Sequence, residues 1–318
     1  MTSSPPRRRP VLASVALCIA ACVIPAGCET NVATGKRQFV MLDRNAEIKM
    51  GLDAFPQMVQ ENGGELKNPE LNAYVSEVGS KMAATTEGQN PSLPWKFTIL
   101  DSDIINAFAL PGGQVFISRG LMQQMTNEAQ LAGVLGHEIG HVTARHINDR
   151  MVDTQWTSIG TTVAATVLTE GVGGTVGQVA PKVLEMGGQT LVLRFGRSQE
   201  LEADALGMRY MSNVKYNPTG QRQVMEILEK SMGTAAGSEW FSTHPYPKTR
   251  IEQIDRLLAT TYSSISADPS FQFKAQEYMS RARSKLALGY PTPLTPQYAA
   301  SLASTHGTAH WCVHCSGH

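Results

Sequence analysis

The sequence predicts an α+β fold that is mostly helical, with a small β-sheet beside one long helix. Two observations carry this. Apolar residues recur at helical spacing in several segments on both sides of the chain's centre, and strict alternation of the strand kind is confined to residues near 95–117. No repeat of solenoid period is present, and 42% hydrophobic content over 318 residues is enough for one large domain with a buried core.

The elements follow in order. Arg7 to Arg9, the apolar run Val11–Ile24 and the small residues Ala26-Gly27 read as an export signal, too short to stay as a membrane span. Its end, Ile24-Pro25-Ala26-Gly27-Cys28, resembles a lipobox with Pro25 in place of the usual Leu, and this implies lipidation at Cys28. Cleavage nearby by an ordinary signal peptidase is the alternative. With the three arginines removed, 24 basic residues face 27 acidic ones, a balance of −3 that gives nucleic acid nothing to bind. Residues 28–42 are expected to be a linker. No cysteine lies between Cys28 and Cys312, so the domain folds without disulfides.

A helix is expected from near Asn45, with Ile48, Met50, Leu52, Phe55 and Met58, and another over Pro69–Met82 with Leu71, Tyr74, Val75, Val78 and Met82. Trp95, Phe97 and Ile99 alternate as a strand. Ala107-Phe108-Ala109-Leu110 and Val115-Phe116-Ile117 flank Pro111-Gly112-Gly113 as a hairpin. Asn127 and Gln130 form a capping box for a helix expected to reach about Arg150. The apolar, glycine-studded stretch Ile159–Ala180 reads as a lid or packed helix pair rather than a span. Further helices are expected over about Ser198–Met211, Gly220–Met232, Pro247–Leu258 and Pro269–Leu288, followed by a flexible tail. The organisation is thus a signal over 1–27, a linker over 28–42, a catalytic domain over 43–260 and a C-terminal helix and tail over 261–318.

His137-Glu138-Ile139-Gly140-His141 is an HExxH pattern on the long helix. At helical pitch the two histidines lie about 40° apart on successive turns and can reach one ion, with Glu138 offset toward a water on that ion. A catalytic zinc needs a third protein ligand. Ala144 and Ile147 exclude the extended HExxHxxGxxH form, and His146, about 180° around the helix from His137, is expected to be a solvated surface residue. Downstream, Glu200 and Asp204 share a helix face while Glu202 points away. Glu200 can bind the metal and Asp204 can orient a ligand imidazole. From these residues alone, an ordinary acidic helix start reads equally well.

His137-Glu-Ile-Gly-His141 with Glu200-x-x-Ala203-Asp204, preceded by Asn106-Ala-Phe-Ala-Leu-Pro-Gly-Gly-Gln-Val-Phe and followed by Thr243-His244-Pro245 and Arg250, resembles the gluzincin metallopeptidase family of HtpX, the CAAX prenyl protease and the periplasmic beta-barrel assembly-enhancing protease. The resemblance covers about residues 43–258. It implies a zincin-like fold, one Zn2+ per chain, endopeptidase activity on protein or peptide substrates with Glu138 as general base, and Glu200 as third ligand. It also implies substrate laid along an edge strand near Asn106, Ala107, Phe108, Ala109, Leu110, Pro111, Gly112 and Gly113. His244 is expected near the metal, as an oxyanion donor or as a fourth ligand that holds the enzyme latent. Arg250 is expected to hold that loop or to stabilise the oxyanion. The absence of several membrane helices points to the soluble periplasmic branch, and no tetratricopeptide repeats follow the domain. Unfolded envelope proteins are the expected partners, with a membrane anchor through Cys28, the outer membrane being the favoured site. A chaperone that holds such proteins without cutting them is the alternative, and a hydrolase of non-peptide substrates is a third, weaker reading. His310, Cys312, His314, Cys315 and His318 are expected to lie in an unstructured tail rather than to form a second metal site.

Overall fold

A computed structural model describes residues 27–88, 90–153, 194–232, 234 and 238–287. The export signal up to residue 26, the Ile159–Ala180 stretch and the tail with Cys312 and Cys315 lie outside the described residues.

Residues 28–42, expected as a linker, contain an antiparallel ribbon of β1 (Cys28–Thr30) and β2 (Arg37–Phe39), with Cys28 opposite Phe39 and exposed. Helix α1 (Arg44–Glu61) starts where Asp43 accepts from the Ala46 amide at 2.8 Å. Its inward residues are Glu47, Gly51 and Met58; Ile48 and Phe55 are half-buried, and Leu52 of the expected stripe is exposed. Helix α2 (Pro69–Ala83) is capped by Asn68, begins on a proline that needs no amide partner, and buries all five expected stripe residues.

The sheet has β3 (Lys96–Leu100), β4 (Ala107–Leu110) and β5 (Gln114–Ser118) in the order β3-β5-β4. Central β5 is parallel to β3 and antiparallel to β4, and the expected hairpin joins β4 to β5. Both faces of the sheet are covered, so apolar residues point to each of them. Phe97, Ile99, Ala107, Ala109, Val115 and Ile117 join the main core. Leu100, Phe108, Leu110 and Phe116 pack instead with Met58 and Phe55 of α1. The Pro111-Gly112-Gly113 turn sits against α1: a Cβ on Gly51 would come 2.0 Å from the Pro111 carbonyl oxygen, and Gly112 adopts φ +77°.

After the short α3 (Arg119–Gln124), helix α4 (Glu128–Thr143) runs through the core with every residue buried. Asn127 accepts from the Gln130 amide at 3.0 Å as expected, but Gln130 Oε1 accepts from Thr126 rather than Asn127, so the capping box is only half formed. The helix does not run unbroken to Arg150. It stops at Thr143, Arg145 takes φ +59°, and a separate helical turn occupies 146–153. The Arg145 side chain holds this break by donating to Glu47 at 2.9 Å, Glu29 at 3.2 Å and the Leu42 carbonyl.

Helices α5 (Arg197–Asn213), α6 (Thr219–Ser231), α7 (Ser238–Thr243), α8 (Pro247–Ala259) and α9 (Ser263–Ser266) follow. The last expected helix starts later than Pro269. Residues 269–274 pair instead with the chain after α5, through Gln272 N to Lys215 O and Asn217 N to Gln272 O, and helical backbone resumes at Ala275 with a π segment over Met279–Arg283. Among the described residues no helix is long and apolar enough to cross a membrane.

Helices α4 and α5 pack closely because the contact is built from small residues. A Cβ on Gly207 would lie 2.9 Å from both Gly136 C and His137 N, and one on Gly140 would lie 2.8 Å from the Ala203 carbonyl oxygen. This close approach carries the first turn of α5 up to the HExxH turns of α4.

Candidate metal centre

Among the described residues, one group of metal-competent side chains converges: His137, His141, Glu200 and His244, all buried, with donor atoms within 4.8 Å of one another. The two histidine Nε2 atoms are 3.0 Å apart. Glu200 Oε2 lies 3.7 Å from His137 Nε2, and Glu200 Oε1 lies 3.4 Å from His141 Nε2. Donors set tetrahedrally about 2.0–2.1 Å from a single zinc ion stand about 3.3 Å from each other, a spacing these distances bracket. Glu200 Oε1 and His244 Nε2 lack a hydrogen-bond partner although buried, while Glu200 Oε2 meets Arg250 Nη1 in an ion pair. Buried polar atoms are normally paired, so this donor set fits a cation.

The electrostatics agree. Burial drives His137 down to about 4, with Arg250 adding to the effect, and holds His141 and His244 well below their ordinary range, so all three imidazoles keep free lone pairs at neutral pH. Burial pushes Glu138 up to about 8 and Glu200 well above its usual range, Arg250 opposing the rise in both. For both carboxylates the cost of burial outweighs the attraction of Arg250, and a divalent cation would offset it.

Beneath the donors lies a buried polar layer. Asp204 faces His137 Nδ1 at 2.9 Å, accepts from Gln221 Nε2 at 2.8 Å, and is gripped bidentately by Arg250 through Nε and Nη2, each at 2.7 Å. Burial alone would raise Asp204, but Arg250 and then His137 outweigh it and hold the carboxyl far below its ordinary range. Arg250 Nη1 also lies 2.8 Å from Glu200 Oε2. Its guanidinium is therefore committed to the two acidic residues of α5.

Glu138 has both oxygens free of hydrogen bonds, with Oε1 3.6 Å from His244 Nε2. His244 is fixed by Thr243 Oγ1 at 2.8 Å from its Nδ1 and by Trp240 stacked on its ring at 4.3 Å. Phe195 stacks on His141 at 3.8 Å. Strand β4 is an edge of the sheet, with no further strand beside it among the described residues.

His137, Glu138, His141, Glu200, Asp204, His244 and Arg250 are thus brought to one place from α4, α5, α8 and the turn before α8. His146 corrects the surface expectation: it is fully buried, because the break at Arg145 turns it inward to place its Nδ1 2.9 Å from His141 Nδ1. Sequence reasoning missed Gln221, Trp240 and Phe195. None of the three stands in a spacing that marks it, since each reaches the centre only through the tertiary fold.

A family model described as Peptidase family M48 matches residues 69–258, more than half of the chain and a span that contains all seven of those residues. Mitochondrial metalloendopeptidase OMA1 of Schizosaccharomyces pombe is 30% identical over 228 residues, covering 71% of this chain and 65% of that protein. The beta-barrel assembly-enhancing protease of Escherichia coli K12 is 28% identical over 208 residues, covering 64% and 42%. Metalloendopeptidase OMA1 of Bos taurus is 32% identical over 173 residues, covering 52% and 32%. The chain spans less than two thirds of the length of each of these relatives. The chain belongs to peptidase family M48.

Proposed function

We propose that this protein is a zinc-dependent endopeptidase, exported and anchored by lipid on Cys28, with 43–260 as its peptidase domain and misfolded or membrane-associated envelope proteins as its substrates. The observation that carries the reading is the buried convergence of His137, His141 and Glu200, with unpaired Glu138 beside them. Relatives named as metalloendopeptidases and as beta-barrel assembly-enhancing proteases support protein substrates and an envelope setting.

His137, His141 and Glu200 would hold the zinc, which when bound supplies Lewis acidity toward water and the scissile carbonyl. Glu138 takes the proton of the attacking water and returns it to the leaving amine. Its burial suits this work, since a carboxylate lifted toward neutrality accepts a proton readily and releases it again. Asp204 fixes the His137 tautomer, and Arg250, engaged with Asp204 and Glu200, acts as a brace rather than as an oxyanion donor. The position of His244 among the donors supports a fourth-ligand role that keeps the resting enzyme latent. The edge position of β4 supports an extended substrate pairing along Asn106–Leu110.

Casein cleavage by the purified protein tests the reading. It is expected to stop with a chelator, to return with zinc, and to fall by about 10²–10⁴-fold in Glu138→Gln with zinc content unchanged. Undiminished zinc-dependent cleavage by Glu138→Gln would remove Glu138 from its role. Restored envelope-protein assembly by that inactive variant would favour holding over cutting.

A further inference from the structure

The two ligand imidazoles are not supported alike. His137 leans on Asp204, whereas His141 Nδ1 faces not a carboxylate but another imidazole, His146 Nδ1, at 2.9 Å. The far nitrogen of His146, Nε2, lies 3.1 Å from Glu202 Oε2, and Glu202 Oε1 lies 2.6 Å from Lys36 Nζ. The chain of contacts runs from fully buried His141 and His146 through half-buried Glu202 to exposed Lys36.

The order of protons along this chain follows from donor chemistry. An imidazole that offers Nε2 to a metal carries its proton on Nδ1, so His141 donates and His146 Nδ1 must accept. His146 then holds its own proton on Nε2, where a carboxylate oxygen is placed to receive it. Each donor meets an acceptor and no proton is left over.

The geometry is built rather than incidental. In an unbroken helix His146 would point away from His141 by about 140°. The left-handed Arg145 re-aims it, and the N-terminal ribbon clamps the break. Asn31 Nδ2 donates to Thr143 O at 2.9 Å, Gln38 Nε2 to Ala144 O at 2.6 Å, and Asn148 Nδ2 to Phe39 O at 2.8 Å.

We propose that His146 is a positioning residue for His141, passing the negative charge of Glu202 to it through a neutral imidazole, so that α5 orients both ligand histidines: His137 directly from Asp204 and His141 by relay from Glu202. The inference rests on the zinc-site reading given above. It assigns to His146, Glu202 and Lys36 the work that a single carboxylate does on the other ligand.

Zinc affinity of the full-length protein, measured by chelator competition alongside the melting temperature of each metal-free variant, tests this without reference to cleavage. His146→Leu removes the acceptor and is expected to weaken zinc binding by about 10–100-fold. His146→Asn, whose Oδ1 can accept from His141 Nδ1, is expected to recover most of that loss. Glu202→Gln, altered toward the surface, is expected to weaken binding several-fold with the metal-free melting temperature unchanged, and it carries the test if His146→Leu does not fold. Wild-type affinity in both Glu202→Gln and His146→Leu, or an equal loss in His146→Asn and His146→Leu, overturns the relay. Failure of the wild-type protein itself to bind one zinc would sink the metal-site reading instead, so the two failures are distinct.

Discussion

Arg250 shows how a single residue organises the centre from below. It is fully buried, pairs bidentately with Asp204 and touches Glu200, so two carboxylates and one guanidinium share a space that water does not enter. Removing one partner of such a set leaves an uncompensated buried charge. Arg250→Leu is therefore expected to cost about 3–5 kcal/mol of stability by denaturant melt and to lower zinc affinity as well. Arg250→Lys keeps the charge but loses the planar fork, and should fall between the two. A variant with wild-type stability would show that the pairing contributes nothing. At this scale the sequence was informative where chemistry has a fixed spacing. His137, Glu138 and His141 stood out by the HExxH spacing, whereas Glu200 and Asp204, which share a helix face, read equally well as an acidic helix start and were singled out only by the family resemblance. His146 was misread because its direction depends on a φ value at Arg145, which is imposed from outside the helix by Glu47, Glu29 and Leu42.

Helices α4 and α5 carry the chemistry between them, and their small-residue contact sets the reach of Glu200. Gly136 and Gly140 on α4 meet Ala203 and Gly207 on α5 with room for no added carbon. Gly207→Ala places a methyl 2.9 Å from His137 N, so the helices must separate. The expected result is a loss of about 1–3 kcal/mol and weaker zinc binding, measured by thermal melt and chelator competition. Unchanged affinity would mean that the spacing of the helices does not set the site. Most elements were legible from periodicity: α1, α2, the three-stranded sheet, α5, α6 and α8 all lie where the pattern puts them. What escaped was decided by long-range pairing. Strands β1 and β2 are too short to show alternation, and residues 269–274 were taken from the last helix by hydrogen bonds to Lys215 and Asn217. Glycine spacing on α4 was visible in the sequence, but its partner helix was not.

For the whole molecule, the buried carboxylates make stability depend on pH in a way that metal reverses. Glu138, raised to about 8, keeps a proton in the folded state that the unfolded chain has released. Its contribution is full below about 4.5 and is lost as pH rises through about 8, and the upward shift of Glu200 acts in the same direction. The lowered histidines act oppositely, but only below their unfolded value of about 6.5. Between pH 6.5 and 8 the metal-free protein is therefore expected to lose melting temperature as pH rises. Zinc binding releases protons and strengthens with pH, so the gain in melting temperature on adding zinc should widen over the same window. A gain that narrows would contradict the reading that Glu200 binds the metal with Glu138 beside it.

The central claim is that one ion joins α4 to α5. Zinc-edge X-ray absorption on the purified protein, compared with Glu200→Ala, tests it most directly. The account predicts one zinc per chain with histidine nitrogens and a carboxylate oxygen at about 2.0–2.2 Å, and loss of the oxygen contribution in the variant. An identical spectrum from wild type and Glu200→Ala, or a protein that holds no zinc at all, would contradict it.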